Sequence, residues 1–476
     1  MHLRRLTIAC ILLSLGSLSA NAQERWSLER CIQYAQQHNT QIKSAALAVQ
    51  NAQLTRQLNE LSRLPSLSAS GSGGVQFGRT IDPATNDFVS QRLWYNTYAI
   101  NTALTLYNGG AIRNNIQKSE LDLQASKADA TYTADLIALN VATAYLAVLQ
   151  AEEQLDNAHR RLELSQLQLE QTDKLIRAGS LPQTARLDLL AQIARDEQSI
   201  VQAESDVERA YLTLKNLLNL DPTASIQVIH PDITLPMEQS PESETFLAVY
   251  QQALNSQAQV RADQLRLRAA GYSVALARAA RLPRLTLFAN INTNWSSAAL
   301  WTQGTLSTIQ EQEIIIDGMP VTVGFPVEIP LLDKKPFFDQ IVDNFGQGIG
   351  LQLSIPIFTN GQARIGVERA KLGLEQARLQ LEQTQQQLRN DVQRALADAR
   401  AAHRNYQAAL RTAEAARVAF ESAQKRYELG AINQYDYNNA RTNLDMAEIT
   451  LTLSKYDYLF KLKVLEFYKG RKIRLE

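Results

Sequence analysis

The side chains that most often carry chemistry are sparse in this chain and stand far apart. Its five histidines are His2, His38, His159, His230 and His403, and none has a His or Cys neighbour at the short spacings that close a metal site. His38, His159 and His403 fall among Gln, Asn and Arg in helical pattern, which reads as a solvated face. Gly71-Ser72-Gly73-Gly74 is glycine-rich but lacks the Lys of a phosphate loop. Beyond the N-terminal segment the methionines are Met237, Met319 and Met446, too scattered to form a soft-metal cluster. With no nucleophile and base in a recognisable pattern, the chain is not expected to be an enzyme or to hold a metal or cofactor. Lys plus Arg and Asp plus Glu are both 48, without a basic block, which excludes a nucleic-acid partner.

Residues 1–22 read as a signal peptide: Arg4 and Arg5, an apolar run over 6–18, then Ala20-Asn21-Ala22 before Gln23. Cys10 lies inside that run, so Cys31 is the one cysteine expected after cleavage, and no intrachain disulfide can form. Past the leader no run of about 18 apolar residues occurs, so any membrane crossing is expected to be made by strands.

The positions that remain informative are repeated. Ser62-Arg63-Leu64-Pro65-Ser66-Leu67 returns as Ala280-Arg281-Leu282-Pro283-Arg284-Leu285, 218 positions later. Gly110 and Gly179 return as Gly361 and Gly430, both 251 positions later, so 33 extra residues sit between Pro283 and Gly361. This predicts two copies of one unit, 23–221 and 242–470, joined by a linker at 222–241 and followed by a tail at 471–476. Helical periodicity covers 28–61, 111–178, 184–218, 242–279, 362–429 and 435–467.

The long helices share a heptad seam. Ile137, Val141, Ala144, Val148, Ala151, Leu155 and Ala158 continue through Ser165, Thr172 and Ile176, and the same register recurs from Leu388 to Tyr427. A helix of nearly seventy residues spans ~100 Å, so it needs lateral support from neighbours. Each long helix is expected to be flanked by two short ones stacked end to end.

Between the helices the period changes to two, near 66–77, 95–107, 285–295 and 346–358. Leu285, Leu287, Ala289 and Ile291 alternate with Thr286, Phe288, Asn290 and Asn292. Such strands suit a bilayer, with Trp94, Tyr95, Trp295 and Trp301 as an interfacial girdle. Four strands cannot close a membrane barrel, so oligomerisation is required. The segments 77–94 and 295–345 read as outward-facing loops, which leaves the helices on the periplasmic side.

The leader, the duplicated helix-strand-strand-helix unit and the turns Asn108-Gly109-Gly110 and Thr359-Asn360-Gly361 together resemble the TolC family of outer-membrane efflux proteins. The resemblance implies an α+β membrane protein that is a homotrimer. Each subunit would give four strands to a 12-stranded β-barrel held in outer-membrane lipid and continued by a long periplasmic α-helical barrel. It implies a passive outer-membrane exit channel of a tripartite pump, fed by a periplasmic adaptor protein and an inner-membrane transporter. A type I protein secretion duct is the alternative within this architecture, and a periplasmic coiled-coil scaffold or adhesin without a pore is the alternative outside it. By the same resemblance Gly179, Leu181, Pro182, Gly430 and Ile432 belong to tips that contact the adaptor. Tyr427, Asp436 and Asn439 would lie at the periplasmic gate, with Asp188 as the first copy's counterpart of Asp436. Ile432 stands where the best-known member of the family has a basic latch and Asn439 where that member has a second acid, so the closed state is expected to be held differently here.

Overall fold

The computed structural model describes residues 24–81, 86–89, 92–180, 182–230, 241–316 and 318–471. The leader read at 1–22, residues 231–240 of the linker, Leu181 and the tail after Arg471 lie outside the described residues. The chain divides into two units: one holds residues up to 54, 120–269 and 375 onward, the other 55–119 and 270–374.

The helices are α1 (Leu28–His38), α2 (Thr40–Leu61), α3 (Ala111–Arg177), α4 (Thr184–Leu218), α5 (Phe246–Ser256), α6 (Ala258–Ala279), α7 (Phe337–Asp343), α8 (Gln362–Glu428) and α9 (Gln434–Tyr468). Apart from α7 their lengths repeat: 11, 22, 67 and 35 residues, then 11, 22, 67 and 35 again. Where one helix is predicted over 28–61, the chain breaks at Asn39, and where one is predicted over 242–279 it starts at Phe246 and breaks at Gln257. Both breaks have a physical cause. Asn39 turns extended, its Oδ1 accepts from the Gln41 amide at 2.9 Å, and its Nδ2 donates to the Leu217 carbonyl at 2.9 Å. Gln257, 218 positions later, is also extended and donates from Nε2 to the Phe467 carbonyl at 3.1 Å. At each break a buried side-chain amide ties the chain to the end of a neighbouring helix, and Asn39 also caps α2.

In the helical unit every seam residue from Ile137 to Ile176, and every counterpart from Leu388 to Tyr427, is buried or half-buried. Two apolar cores result. The first joins Cys31, Ala35, Ile137, Val141, Tyr145, Val148 and Leu214, and the second joins Val249, Ala253, Leu388, Val392, Leu396, Ala399 and Leu465. These are the same positions of the two copies, carried over by 218 or 251. A stretch of α3 is long and apolar enough by composition to cross a membrane, contrary to the expectation from apolar runs, but half of it is buried inside the chain. Its apolar side chains serve this core.

The first core carries an addition that periodicity did not signal. Strands β1 (Glu24–Trp26) and β6 (Ile226–Val228) pair in parallel. The buried Tyr145 hydroxyl donates to the Ile229 carbonyl at 2.6 Å and accepts from the Ile229 amide at 3.1 Å.

In the other unit a four-stranded antiparallel sheet has the order β10-β7-β5-β2, with β2 at Ser66–Gln76, β5 at Leu93–Asn108, β7 at Arg284–Ser296 and β10 at Gly346–Ser354. The short strands β3 (Thr80–Ile81) and β4 (Phe88–Val89) pair in the first inter-strand segment. The second such segment, expected to be loop, instead contains a long hairpin of β8 (Leu300–Ile316) and β9 (Met319–Lys334), followed by α7. Asp317-Gly318 between two β-branched stretches is the sequence signal for it. Gln340 of α7 is 1% exposed and fastens α7 to the sheet: its Oε1 accepts from the Ser296 amide at 2.9 Å and its Nε2 donates to the Ser296 carbonyl at 3.1 Å.

Candidate functional site

The sheet sorts its residues by face. Residues opposite one another in an antiparallel ladder share a face, and the register aligns Leu104 with Leu287 and Leu351, and Ile100 with Ile291. Leu67, Leu285, Ala289, Ile349 and Leu353 lie on the same side. Leu67 and Ile349 are each 77% exposed, an extent of apolar surface that water does not favour. The opposite face aligns Ser68, Asn101 and Asn290, and places Thr97 beside Asn294. One face is therefore suited to hydrocarbon and the other to water. Among the described residues no strand satisfies the backbone groups on the outer edges of β2 and β10.

Each sheet strand that leads into a long helix does so through a turn that demands positive φ. Gly109 and Gly110 have φ of 65° and 80°, Asn360 and Gly361 of 49° and 77°. Asn108 Oδ1 accepts from the Ile112 amide and Thr359 Oγ1 from the Ala363 amide, both at 3.3 Å, so each long helix starts on a side-chain cap.

At the far end of the long helices the two tips share one backbone motif. Gly179 and Gly430 have φ of 76° and 69°. The Ser180 amide returns to the Leu175 carbonyl and the Ala431 amide to the Arg426 carbonyl, at 2.9 and 2.8 Å, the bond pattern of a Schellman stop. Pro182 is exposed, Ile432 is half-buried, and Leu429 beside Gly430 is 83% exposed. The return helices start differently. Asn433 caps α9 by accepting from the Asp436 amide at 2.8 Å, whereas Gln183 before α4 makes no side-chain cap.

Of the residues named for a gate, Asp436 and Asn439 are exposed in this chain, and Asp188 on α4 is exposed as well. Tyr427 is half-buried, hydrogen-bonded to the buried Thr172 and packed on Tyr437 with ring centroids 5.0 Å apart. Burial raises both phenols above their ordinary range, so they stay neutral. The ring of Phe420 lies 5.6 Å from that of Tyr437 and extends the aromatic stack.

Above this stack lies a polar junction of α3, α4 and α9 that the sequence reading missed. Arg441 is 5% exposed and donates from Nη2 to the Arg161 carbonyl at 2.8 Å. Its guanidinium stands 4.0 Å from both Asp196 and Asp445. Ser165 donates to Asp196, and Gln192 Nε2 donates to it at 2.9 Å. Burial pushes the Asp445 carboxyl up to about 6, against the opposing pull of Arg441 and Arg161. Arg441 Nε, Arg161 Nε and Gln168 Nε2 are buried without a hydrogen-bond partner. The junction is thus incompletely satisfied. An Arg and Asp four apart on a helix are as typical of a solvated surface, so no sequence pattern distinguishes it.

Among the described residues no group of three His, Cys, Asp or Glu side chains could hold a metal. Two histidines expected on a solvated face are instead half-buried: His38 stacks on Tyr34 and His403 lies against Tyr458.

The family model for outer membrane efflux proteins matches residues 31–220 and 249–471. Among solved structures, the chain is similar to the Campylobacter jejuni CmeC outer membrane channel, with 18% identity, 93% of this chain and 85% of that chain covered, and a TM-score of 0.73. It is similar to the outer membrane protein VceC of Vibrio cholerae, with 18% identity, 93% and 96% covered, and a TM-score of 0.72. The open state of the Neisseria gonorrhoeae MtrE outer membrane channel gives 19% identity, 93% and 88% covered, and a TM-score of 0.66. A comparison with curated protein sequences finds no significant match.

Proposed function

The chain belongs to the outer membrane efflux protein family, and on that premise we propose that it is a passive exit channel, working as a homotrimer with a periplasmic adaptor and an energised inner-membrane transporter. It is a protein of the outer membrane, with its helical part in the periplasm. The observation that carries the channel reading is the sheet. One apolar face, one polar face and two unpaired edges are supported in hydrocarbon only when further strands complete a barrel around water. Three copies would bring twelve strands, edge β2 of one meeting edge β10 of the next.

The tips supply the regulated end. Gly179, Pro182, Gly430 and Ile432, with Leu181, form the proposed adaptor contacts. Asp436 and Asn439 are the proposed water-facing lining, while the proposed role of Tyr427 is to brace α8 against Thr172 and Tyr437. Opening is then a population shift between packed and splayed tip helices.

Single-channel recording in planar bilayers tests the reading. Discrete conductance steps are expected from folded oligomer, and their absence refutes it. Asp436→Asn is expected to weaken block by multivalent cations added on the periplasmic side. Unchanged block removes Asp436 from the constriction.

A further inference from the structure

The β8–β9 hairpin has one face that is apolar throughout on β9 and interrupted on β8 by Thr308, Gln310 and Gln312. On β9 every second residue from Met319 to Leu331 is apolar, and the register sets Leu306 opposite Ile329 and Ile314 opposite Val321 on the same face. Val321, Phe325, Ile329 and Leu331 are exposed. The other face carries Glu311, Glu313 and Glu328 together with the exposed Ile309 and Ile315. Between residues 300 and 333 there is no Lys or Arg.

Edges and charge narrow what can cover the apolar face. Pro320, Pro326 and Pro330 share one parity. Because proline cannot donate into the ladder with β8, all three put their missing N–H on the outer edge of β9. Head-to-tail pairing of β8 with β9 of the next copy around a threefold axis would need that edge, so the hairpins cannot continue a barrel. Elements that lie on anionic lipid carry Lys and Arg on their polar face, whereas this polar face is acidic. The apolar face itself carries no charge from 319 to 331, so copies can bury it against one another while their carboxylates stay in water. At roughly 50 Å² for each of nine apolar side chains, three copies would bury about 1,400 Å² in all, roughly 450 Å² for each pair of copies, which extends the interface of the proposed trimer and does not stand as one by itself.

We propose that the β8–β9 hairpins of three copies of this chain pack together through their apolar faces, as a bundle at the outward end of the barrel strands. The proposal rests on the trimer proposed above. Its test is disulfide trapping in the full chain, purified in detergent, with oligomeric mass measured on the same sample by light scattering. Cys31 is fully buried and adds no background. Val327→Cys lies on the apolar face and Glu328→Cys, one residue on, lies on the acidic face. Mild oxidation is expected to pair Val327→Cys into dimers in up to about two thirds of the chains, because one of three copies around an axis is left over. Glu328→Cys is expected to give at least fivefold less. A trimeric mass with no trapping, or with equal trapping at both positions, overturns the hairpin bundle and leaves the trimer standing. A trimeric mass in which a fluorophore on Val327→Cys is quenched by lipid spin labels also overturns it, in favour of a lipid surface. A monomeric mass removes the trimer and the bundle together.

Discussion

Asp445→Asn is expected to stabilise the protein at alkaline pH and to do so less as the pH falls. The Asp445 side chain is 18% exposed, and burial moves its carboxyl from 3.8 up to about 6. The folded chain therefore holds this proton more tightly than the unfolded chain. Well below pH 4 both states carry the proton and no penalty exists. As the pH rises from about 4 to about 6 the unfolded state releases it first, and stability falls until the folded carboxyl has also ionised. The full penalty is the shift of two units at about 1.4 kcal/mol each, about 3 kcal/mol per chain. Asn has the shape of the protonated acid and cannot ionise, so it removes that penalty.

The gain is expected to be about 3 kcal/mol at pH 8 and about half of that at pH 5. Large and secreted proteins commonly unfold irreversibly, so the comparison is of apparent thermal midpoints by circular dichroism at one heating rate. A variant less stable than the parent at pH 8, or an advantage equal at both pH values, would show that Asp445 does not carry a proton penalty. The same substitution tests the proposed opening by splaying of the tip helices. An ionised Asp445 is penalised only while the helices enclose it, so ionisation favours their separation, and Asp445→Asn is expected to lower open probability at pH 8.

Three further substitutions probe the scaffold. Asn39→Ala removes both the cap acceptor and the donor to the Leu217 carbonyl, and is expected to cost about 1–2 kcal/mol; an unchanged thermal midpoint would mean that the break at Asn39 is held by other contacts. Tyr145→Phe leaves the Ile229 carbonyl without its buried donor, while the Ile229 amide keeps the Trp26 carbonyl at 3.0 Å, at about 1–3 kcal/mol, and hydrogen exchange should quicken over 226–229. Gly430→Ala meets no atom within 4 Å of its new Cβ, yet φ there is 69°, so a cost of about 1 kcal/mol is expected from backbone strain alone; a neutral result would show that the tip relaxes out of the left-handed region.

The seam was legible because heptad spacing is itself a statement about which side of a helix is dry. Val141 and Val392 are both fully buried where that spacing puts them. The strands were legible for the same reason, since alternation reports the two faces of a sheet. The breaks at Asn39 and Gln257 were not, because both residues fit a helix and the acceptors that draw them out, the Leu217 and Phe467 carbonyls, are 178 and 210 positions away. The polar junction was hidden in the same way. Arg441 and Asp445 are four apart on one helix, and only Arg161, Ser165 and Asp196 on two other helices turn that pair from a surface feature into a buried one.

The two copies solve one mechanical problem with different chemistry. In each, the segment preceding an 11-residue helix must be tied to a long helix, or that helix would be anchored by its apolar stripe alone. In the first copy β1 is tied by its ladder to β6, and Tyr145 of α3 bonds the Trp26 and Ile229 carbonyls. The position 251 later is Leu396, which cannot make those bonds. The second copy ties the segment before α5 by charge instead: Arg400 of α8 donates to the Pro241 carbonyl at 3.2 Å and to the Glu244 carbonyl at 2.5 Å, and Lys469 pairs with the Glu244 carboxylate. A backbone ladder breaks cooperatively, whereas a guanidinium on two carbonyls can be exchanged for water one bond at a time. The matched lengths of the helices therefore do not make the two halves equivalent in their attachments, and the second copy, which also carries Tyr427, Asp436 and the buried Arg441, is the one expected to yield in smaller steps, which hydrogen exchange over 241–256 against 24–38 would show as the earlier opening.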